Sequence, residues 1–321
     1  MTGSSGHLGE ALVRTLRGEG CEVIGLDVVA SSYTDVVGSI VDRRVVRRCL
    51  DGVEAVLHTA TLHKPHVGTQ TRQDFVDTNV TGTLNLLEEA TSAGVGCFVL
   101  TSTTSVFGRA LVPPPGAPAA WITEDVVPVP KNIYGATKKA AEDLAELVSV
   151  DHGLPCLVLR TSRFFREPDD HSEIRNAYED ANIKVNELLY RRVDLEDVVG
   201  AHLLALSRAT SVGFGRYIIS ATTPFSRDDM DQVREDAPAV VRRLFPECEA
   251  TYAGYGWKLF PKIDRVYVNE KARCDLGWSP RYDFARALAR LEAGEDPRSP
   301  LARSVGAKGY HSVPQYPYTT P

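Results

Sequence analysis

The sequence lacks the features of a membrane, secreted or nucleic-acid-binding protein. No apolar run approaches the roughly 20 residues of a membrane-spanning helix, and the amino terminus has no secretory signal pattern. Basic residues are not in excess, because 36 Lys and Arg stand against 42 Asp and Glu, for a net charge of -6. We therefore expect a cytoplasmic protein that binds neither nucleic acid nor a membrane surface.

Cysteine is present, but in no pattern that predicts a disulfide framework or a metal site. The six cysteines are scattered and include no CxxC pair, which is typical of reduced thiols in a core. His58, His63 and His66 lie close together, yet no carboxylate or cysteine cluster completes a ligand set around them. The sequence therefore predicts no bound metal, and we interpret these histidines as loop residues.

What the chain does contain is an alternation of short strands and amphipathic helices. The strand candidates are residues 22–26, 55–58, 97–101 and 155–160. The stretches between them, such as TLNLLEEA at 83–90, place apolar residues at helical spacing. This βαβ alternation predicts an α/β fold, a Rossmann-type doubly wound parallel sheet with helices on both faces.

The alternation fades beyond Arg160 and defines three regions. We predict a nucleotide-binding Rossmann domain at 1–160 and a small, mixed substrate-binding lobe at 161–293 with elements that return to the Rossmann domain. Residues 294–321 carry five prolines and three tyrosines without periodicity, which predicts an extended C-terminal arm or tail.

The pattern TGSSGHLG at 2–9 opens directly into the first predicted helix. In such a turn, Gly3 permits the tight bend, Gly6 lets the backbone approach a pyrophosphate, and Gly9 allows close helix packing. The helix start adds free N–H groups and a positive dipole end. The pattern favours a dinucleotide site, with a flexible glycine-rich loop as the alternative.

The strand that normally feeds this turn has almost no residues here, because Thr2 already belongs to the turn. A parallel sheet without that central strand would expose two long edges. We therefore expect a truncated first strand, with the natural start upstream or the chain shortened at its front.

Asp27 ends the next predicted strand, 18 residues after Gly9. A carboxylate there accepts hydrogen bonds from the adenosine ribose hydroxyls and repels the 2′-phosphate of NADP. We therefore expect NAD as the cofactor, although Ser31 and Ser32 lie near enough to accommodate a phosphate.

The segment YGATK at 134–138 carries the most specific chemical signal. On a helix, side chains at i and i+4 share one face, so Lys138 holds a positive charge close to the Tyr134 hydroxyl. That charge favours the phenolate and makes Tyr134 a general acid/base near neutral pH. The preceding strand, FVLTSTTSVFG at 98–108, places hydroxyl groups at the carboxyl end of the sheet, where ligands bind.

In this order the motifs resemble those of the extended short-chain dehydrogenase/reductase family, in its NAD-dependent epimerase/dehydratase branch. The similarity covers about residues 2–293 and includes HTA at 58–60, NVTGT at 79–83, LR at 159–160, VDLEDV at 193–198 and LGWSP at 276–280. The resemblance implies hydride transfer with NAD in a homodimer, formed through helices at 79–90 and 134–150.

The resemblance also assigns residues to the site. It places Thr103 at the catalytic serine/threonine position, with Ser102 and Ser105 as alternatives, next to Tyr134 and Lys138. The implied cofactor-binding residues are Gly3, Gly6, His7, Leu8, Gly9, Asp27, Ser39, Ile40, Thr59, Ala60, Asn79, Tyr134 and Lys138. Ser39 departs from the aspartate that is common at its position in the family.

The reaction is less constrained than the cofactor. Dehydratases of the family need an Asp-Glu pair after the catalytic threonine, where this chain has Thr104 and Ser105, so we do not expect dehydration. We expect epimerisation at a hydroxyl-bearing carbon of a sugar or nucleotide sugar. Arg163 replaces a family asparagine that holds the nucleotide sugar; with Arg192, it is our candidate for binding a carboxylate or phosphate. The alternative is that such arginines are solvated surface residues paired with Asp169, Asp170, Glu173 and Glu179.

Two alternatives to epimerisation remain open. One is net dehydrogenation of a small sugar, uronic acid or other alcohol, because only about thirty residues separate Ser162 from Val193, which is short for a lobe that encloses a nucleotide diphosphate. The other is a non-catalytic NAD-sensing protein, since some Rossmann folds bind the nucleotide without chemistry.

Overall fold

The computed structural model describes residues 1–309, which form two parallel sheets surrounded by helices. The strands in this range are β1 (Leu26–Asp27), β2 (Val36–Val37), β3 (Ala55–His58), β4 (Cys97–Thr103), β5 (Ala120–Ile122), β6 (Cys156–Thr161), β7 (Phe214–Ile219) and β8 (Arg265–Tyr267). The α-helices in this range are α1 (His7–Gly18), α2 (Arg43–Cys49), α3 (Arg72–Val76), α4 (Gly82–Ser92), α5 (Ile133–His152), α6 (Ser172–Ala177), α7 (Asp180–Glu187), α8 (Leu195–Val212), α9 (Met230–Leu244), α10 (Cys248–Gly254), α11 (Glu270–Leu276), α12 (Phe284–Glu292) and α13 (Pro300–Val305). A π-helical segment, Asp77–Thr81, joins α3 to α4.

The main sheet is parallel and has the predicted Rossmann-type order. Strands β3, β4, β6 and β7 lie side by side, β1 pairs with β2, and Thr2 bridges the two groups by pairing with both Leu26 and His58. The Gly3 N–H donates to the Leu26 carbonyl at 2.8 Å, and the Thr2 N–H donates to the Leu57 carbonyl at 3.0 Å. The central strand is therefore short, as expected, but this short segment connects both neighbouring strands.

Apolar cores cover both faces of this sheet. On one face α1, α8, α11 and α13 pack against it, and on the other α2, α4 and α5 do so. The central strands are the most buried, since β4 is buried at six of its seven positions and β6 at each of its six. Helices on both faces explain why β4 and β6 read as continuous apolar runs.

A smaller lobe has its own core and the two-stranded sheet of β5 and β8. Its helices α7, α9, α10 and α12 come from the region predicted as the substrate lobe. Elements α8, β7 and α11, from the same region, pack into the core of the main sheet. Strand β4 belongs to the main sheet, and α5 packs on one face of it.

Two sequence predictions differ from the structure. Of the strand predicted at 22–26, only the last residue is in β1, because Leu26 and Asp27 are the positions that pair with β2. Part of the predicted extended arm is helical, since α13 has Ser299 as its N-cap, Pro300 in its first turn, and buried Ala302 and Val305. The rest of that arm, from 310 to 321, lies outside the described residues.

The described part of the chain shows two further properties. Within residues 1–309, no helix combines the length and apolar character needed to cross a bilayer. The cysteines are free thiols, and Cys21 and Cys274 are exposed, so only some of them are the core thiols that we expected.

Candidate active site

The glycine turn at the start of α1 is shaped by close backbone contacts. Gly3 has a φ of +70°, and a Cβ there would lie 2.7 Å from both Ala60 N and Thr59 Oγ1. A Cβ on Gly9 would lie 1.8 Å from the Gly3 carbonyl oxygen, so α1 packs directly on the turn. Gly6 has more room and lines a cavity. Two of the glycines are thus required by the protein's own packing, and the third borders the space for a ligand.

Asp27 lies at the end of β1, beside this turn. Its Oδ2 accepts a hydrogen bond from the Ser5 N–H at 3.0 Å, and its Oδ1 accepts one from the Val29 N–H at 2.9 Å. Each carboxylate oxygen has further lone pairs, and the residue lines the same cavity as Gly6. Asp27 therefore holds the turn in place and still offers acceptors to a ribose.

The cavity beside the turn, here called the glycine-loop cavity, has a volume of about 510 Å³. The predicted cofactor residues that line it are Gly3, Gly6, His7, Leu8, Gly9, Asp27, Ser39, Ile40, Thr59, Ala60 and Tyr134. Its size lies within the range of about 300–1,000 Å³ that is typical of small-molecule sites. Eleven of the thirteen implied cofactor residues are therefore brought together on one surface, and Asn79 and Lys138 are not part of it.

Asn79 has a different place from the one that the resemblance implied. Its side chain is buried, with Oδ1 accepting from the Thr61 hydroxyl at 2.9 Å and the Leu62 N–H at 2.8 Å. Its Nδ2 donates to the Leu62 carbonyl and to the Thr137 hydroxyl. Because these groups occupy the amide, Asn79 positions the cavity wall at 61–62 against helix α5 and does not itself line the cavity.

Tyr134 lies in the first turn of α5, which begins after the N-cap Asn132. Its side chain is buried, and the Thr103 hydroxyl is close enough to influence its pKa. Burial raises the pKa of Tyr134 to about 12, while the Thr103 hydroxyl opposes this rise. The direction is opposite to the acidified phenol that we predicted, because the cost of burying the phenolate outweighs the effect of Thr103.

Lys138 is one turn further along α5 and is also buried. Burial lowers the pKa of Lys138 to about 8, and the carboxylate of Glu142 opposes this change. Within residues 1–309 the Lys138 ammonium makes no hydrogen bond. A buried ammonium with unused donors is suited to hydroxyl acceptors from a bound molecule.

Glu142 connects this helix to the strands behind it. Its carboxylate accepts hydrogen bonds from the Ser102 hydroxyl and from Arg160, whose Nη2 lies 2.8 Å from Oε2. Ser102, one of the alternatives to Thr103, is therefore committed to Glu142. Sequence analysis did not identify Glu142, although its i+4 spacing from Lys138 was visible.

Two buried histidines beneath the glycine-loop cavity are held in uncharged networks. His58 lies between the Thr2 and Thr83 hydroxyls, and burial lowers its pKa well below the usual value. His202 on α8 contacts the Thr101 hydroxyl at 2.7 Å, and burial lowers its pKa to about 4. Among the described residues, no group of three His, Cys, Asp or Glu side chains is arranged to hold a metal ion.

A second cavity, here called the cationic cavity, has a volume of about 160 Å³ and meets the first one at Tyr134. Thr103 and Ser105 also line it. The cationic side chains among its described lining residues are Lys64, Lys131, Arg163, Arg191 and Arg265. Glu167 and Asp170 also line this cavity, so its cationic side chains outnumber its carboxylates.

The two predicted substrate arginines are largely paired with carboxylates. Arg163 lines the cationic cavity, but its Nη1 lies 2.7 Å from Asp169 Oδ2. Arg192 does not line it, because its guanidinium is buried against Glu187 and the Phe165 carbonyl. The structure thus contradicts the prediction that Arg192 faces the substrate.

A segment at 306–309 closes over the glycine turn. The Lys308 N–H lies 3.1 Å from both His7 Nε2 and Glu167 Oε1, and the Gly309 N–H donates to the same carboxylate. The Lys308 ammonium pairs with Glu10. Burial favours a higher pKa for Glu167, but His7 outweighs it and holds this pKa at about 2. The His7 side chain thus anchors this segment, and Lys308 and Gly309 complete the cavity wall.

Together these features fit a dinucleotide. The glycine turn and the start of α1 suit a pyrophosphate, and Asp27 suits a ribose, while Lys138 places a buried positive charge one helical turn after Tyr134. The fit rests on the packing of the glycines and on the place of Asp27 beside them, both of which are properties of this chain.

Comparisons with known proteins agree with this geometry. A family model described as the NAD dependent epimerase/dehydratase family matches residues 1–219, which is more than half of the chain. The chain is 26% identical over 318 residues to a UDP-glucose 4-epimerase of Streptomyces lividans, covering 89% of this chain and 92% of that protein. It is 30% identical over 166 residues to the uncharacterized protein y4nG of Sinorhizobium fredii, covering 50% of this chain but only 39% of that protein.

A solved structure shares the fold. It is a short-chain dehydrogenase/reductase superfamily protein from Agrobacterium tumefaciens with bound NAD, with a TM-score of 0.65 and 23% identity. The match covers 94% of this chain and 96% of that chain.

Proposed function

The chain belongs to the NAD dependent epimerase/dehydratase family and uses NAD, and from that premise we propose that it transfers hydride reversibly at a hydroxyl-bearing carbon of a sugar or nucleotide sugar. The observation that carries this proposal is the place of Tyr134. Its side chain lines both the glycine-loop cavity and the cationic cavity, and Thr103 lines the second cavity with it. A substrate in the second cavity therefore meets the acid/base residue beside the cofactor site.

Side chains of the protein accept and return the proton of the substrate hydroxyl in this reaction. Thr103 holds the substrate oxygen next to the Tyr134 oxygen, and Tyr134 takes the hydroxyl proton as the carbonyl forms, then returns it when the carbonyl is reduced. Lys138 keeps a positive charge beneath this pair. When bound in its oxidised form, NAD supplies the hydride acceptor and a positive charge that favours the phenolate.

Epimerisation is the outcome that we propose first. An epimerase must keep its cofactor while the ketone intermediate turns and is reduced from the other face. The 306–309 segment supports this, because Lys308 and Gly309 close the glycine-loop cavity through His7 and Glu167. The similarity to a UDP-glucose 4-epimerase over 89% of the chain is a second support.

Net dehydrogenation is the second candidate, and the size of the cationic cavity favours it. Its volume of about 160 Å³ is below the range of about 300–1,000 Å³ for drug-sized ligands. A small sugar or sugar acid fits this space better than a whole nucleoside diphosphate sugar does. Dimerisation through α4 and α5 stays a prediction for either reaction.

The test is hydride transfer with several substrate classes, followed by product analysis. Purified protein with NAD is mixed with UDP-sugars, free sugars and uronic acids, while absorbance at 340 nm and the sugar isomers are measured. Isomer conversion without NADH accumulation supports the epimerase, and stoichiometric NADH supports the dehydrogenase. NAD binding by calorimetry without either product would overturn the catalytic proposal in favour of an NAD sensor.

A further inference from the structure

The cationic cavity contains two positive side chains that lie outside ion-pair distance of any acidic group in the described residues. Lys131 immediately precedes the N-cap of α5, and Arg265 begins β8 in the lobe. Neither forms an ion pair or a side-chain hydrogen bond in residues 1–309, and the Nε atom of Arg265 is buried without a partner. The Tyr190 ring, 6.0 Å from the Arg265 guanidinium carbon, is the neighbour that packs against it.

The other cations of this cavity are already paired. Lys64 pairs with Asp170, and Asp169 lies 2.7 Å from Arg163. Glu187 is fully buried, and its Oε1 forms an ion pair with Arg191 Nη2 at 2.8 Å. Each of these three cations would have to give up its contact with a carboxylate of the chain in order to bind a substrate anion.

We infer that Lys131 and Arg265 bind a carboxylate carried by the molecule whose hydroxyl meets Tyr134, so that the substrate is a sugar acid. The two cations come from different walls, one from the start of the catalytic helix and one from the lobe. An oxyanion between them would accept from the Lys131 ammonium and from the terminal N–H groups of Arg265, which make no hydrogen bond within residues 1–309, since a guanidinium binds a carboxylate through two parallel N–H groups. This inference rests on the proposed function and refines its substrate class.

The electrostatics of Lys131 agree with this assignment. Burial lowers its pKa, and the charges of Lys64 and Arg265 lower it further, while Asp170 opposes them. A bound oxyanion would relieve the repulsion between these cations. A carboxylate on a single sugar also suits a cavity of about 160 Å³ better than a nucleotide diphosphate does.

Binding to the NADH-loaded protein tests the inference separately from turnover. The probes for calorimetry are D-glucuronate and D-galacturonate, the matching neutral sugars, and UDP-glucose. We expect a uronate to bind at least about tenfold more tightly than its neutral sugar, because a charge-assisted hydrogen bond contributes about 1.5–3 kcal/mol. Arg265→Gln and Lys131→Gln should each remove about tenfold of uronate affinity and leave neutral-sugar affinity unchanged.

The matched control is Lys262→Gln, which removes the same charge from an exposed lysine of the same lobe and should change nothing. Equal binding of acids and neutral sugars, or absence of uronate binding, would overturn the inference. So would tighter binding of UDP-glucose that depends on Arg265, since the pair would then bind a phosphate. Uronate binding that depends on both cations, in a protein that transfers no hydride, would uphold this site and refute the proposed function.

Discussion

The two cavities that meet at Tyr134 are built from different chemical groups. The glycine-loop cavity is walled mainly by backbone, glycine and hydroxyl groups, with neutral His58 and His202 beneath it. The cationic cavity is walled by charged side chains, and two of its guanidinium groups, those of Arg163 and Arg191, share the buried carboxylates of Asp169 and Glu187. The shape of the first cavity therefore depends on close packing of the backbone. The properties of the second depend on how its positive and negative side chains are paired.

This difference explains how each side can vary. A site made by backbone approach tolerates few residue types, because a single added Cβ collides with main-chain atoms, as at Gly9. In a site lined by charged side chains, substituting one member of an ion pair leaves the other free to bind a different ligand. We expect the cofactor to be fixed by the fold, and the substrate to be set by which cations remain unpaired.

The largest effect is expected where the two cavities meet. Tyr134→Phe removes the proton-transferring hydroxyl and should lower turnover by about 10²–10⁴-fold. The binding of NAD and of substrate should change little, because both cavities keep their walls. Turnover and calorimetry on the same preparation check this, with Tyr255→Phe as the control, whose hydroxyl contacts the Leu291 carbonyl in the lobe. Undiminished turnover would remove Tyr134 from the chemistry.

The charge balance of the cationic side is tested at Glu187. Glu187→Gln leaves Arg191 and Arg192 without their buried carboxylate and should lower the free energy of unfolding by about 3–5 kcal/mol. Asp180→Asn, which breaks an exposed pair with Lys184, should cost less than about 1 kcal/mol. Urea denaturation measures both. Equal losses of unfolding free energy in the two variants would show that the cationic cavity does not depend on its buried ion pairs.

The same substitution has a pH signature. Neighbouring guanidiniums outweigh burial and hold the pKa of Glu187 below its usual range, so its ionised form stabilises the fold above about pH 4.3. This stabilisation is lost as the pH falls through the lowered folded-state pKa. Glu187→Gln should therefore be less sensitive to acid than the original protein, although it is less stable at neutral pH.

The packing of the cofactor side is tested at Gly9. Gly9→Ala places a methyl group against the Gly3 carbonyl, and overpacking of this kind costs about 1–3 kcal/mol, or about ten- to hundredfold in NAD affinity. Gly18→Ala, in the same helix but with open space around it, is the matched control and should leave NAD affinity unchanged. Fluorescence titration with NADH measures both variants. Equal NAD affinity in the two would refute the role of close packing.

The smallest effect concerns the neutral histidines. Burial lowers the pKa of His202 to about 4, so folding requires the uncharged ring and stability falls as the pH drops below the unfolded value near 6.5. Through His202, the free energy of unfolding should fall by about 2 kcal/mol between about pH 7 and about pH 5. His202→Gln should reduce that slope of unfolding free energy, whereas Thr101→Val, which keeps the histidine, should retain it. Identical slopes in His202→Gln and the original protein would contradict this origin.

The cofactor side could be predicted from the sequence because its constraints are local. The motif spacing is fixed by one turn and one strand. It therefore predicted the positions of Gly3, Gly6, Gly9 and Asp27 without a structure. Asn79 was misplaced because a motif records that a polar residue is needed, but not whether it faces the ligand or the protein. The π-helical segment that carries Asn79 has no comparable sequence signal.

The cationic side could not be predicted in the same way. The sequence pointed to Arg163 and Arg192, but which guanidinium is paired depends on carboxylates at 169 and 187 that only the folded lobe brings together. Lys131 and Arg265 are 134 positions apart, and neither lies in a motif. Long-range pairing of charges is a property of the fold and leaves no periodic trace.

The contact between His7 and Lys308 has a consequence for the order in which the protein matures. These residues are 301 positions apart, so the contact cannot form until nearly the whole described chain has left the ribosome. Domains fold in order as they are synthesised, with amino-terminal parts first. The pyrophosphate turn is thus among the first parts to be made and among the last to be enclosed, so a chain stalled late in translation would carry an open, exchangeable nucleotide site.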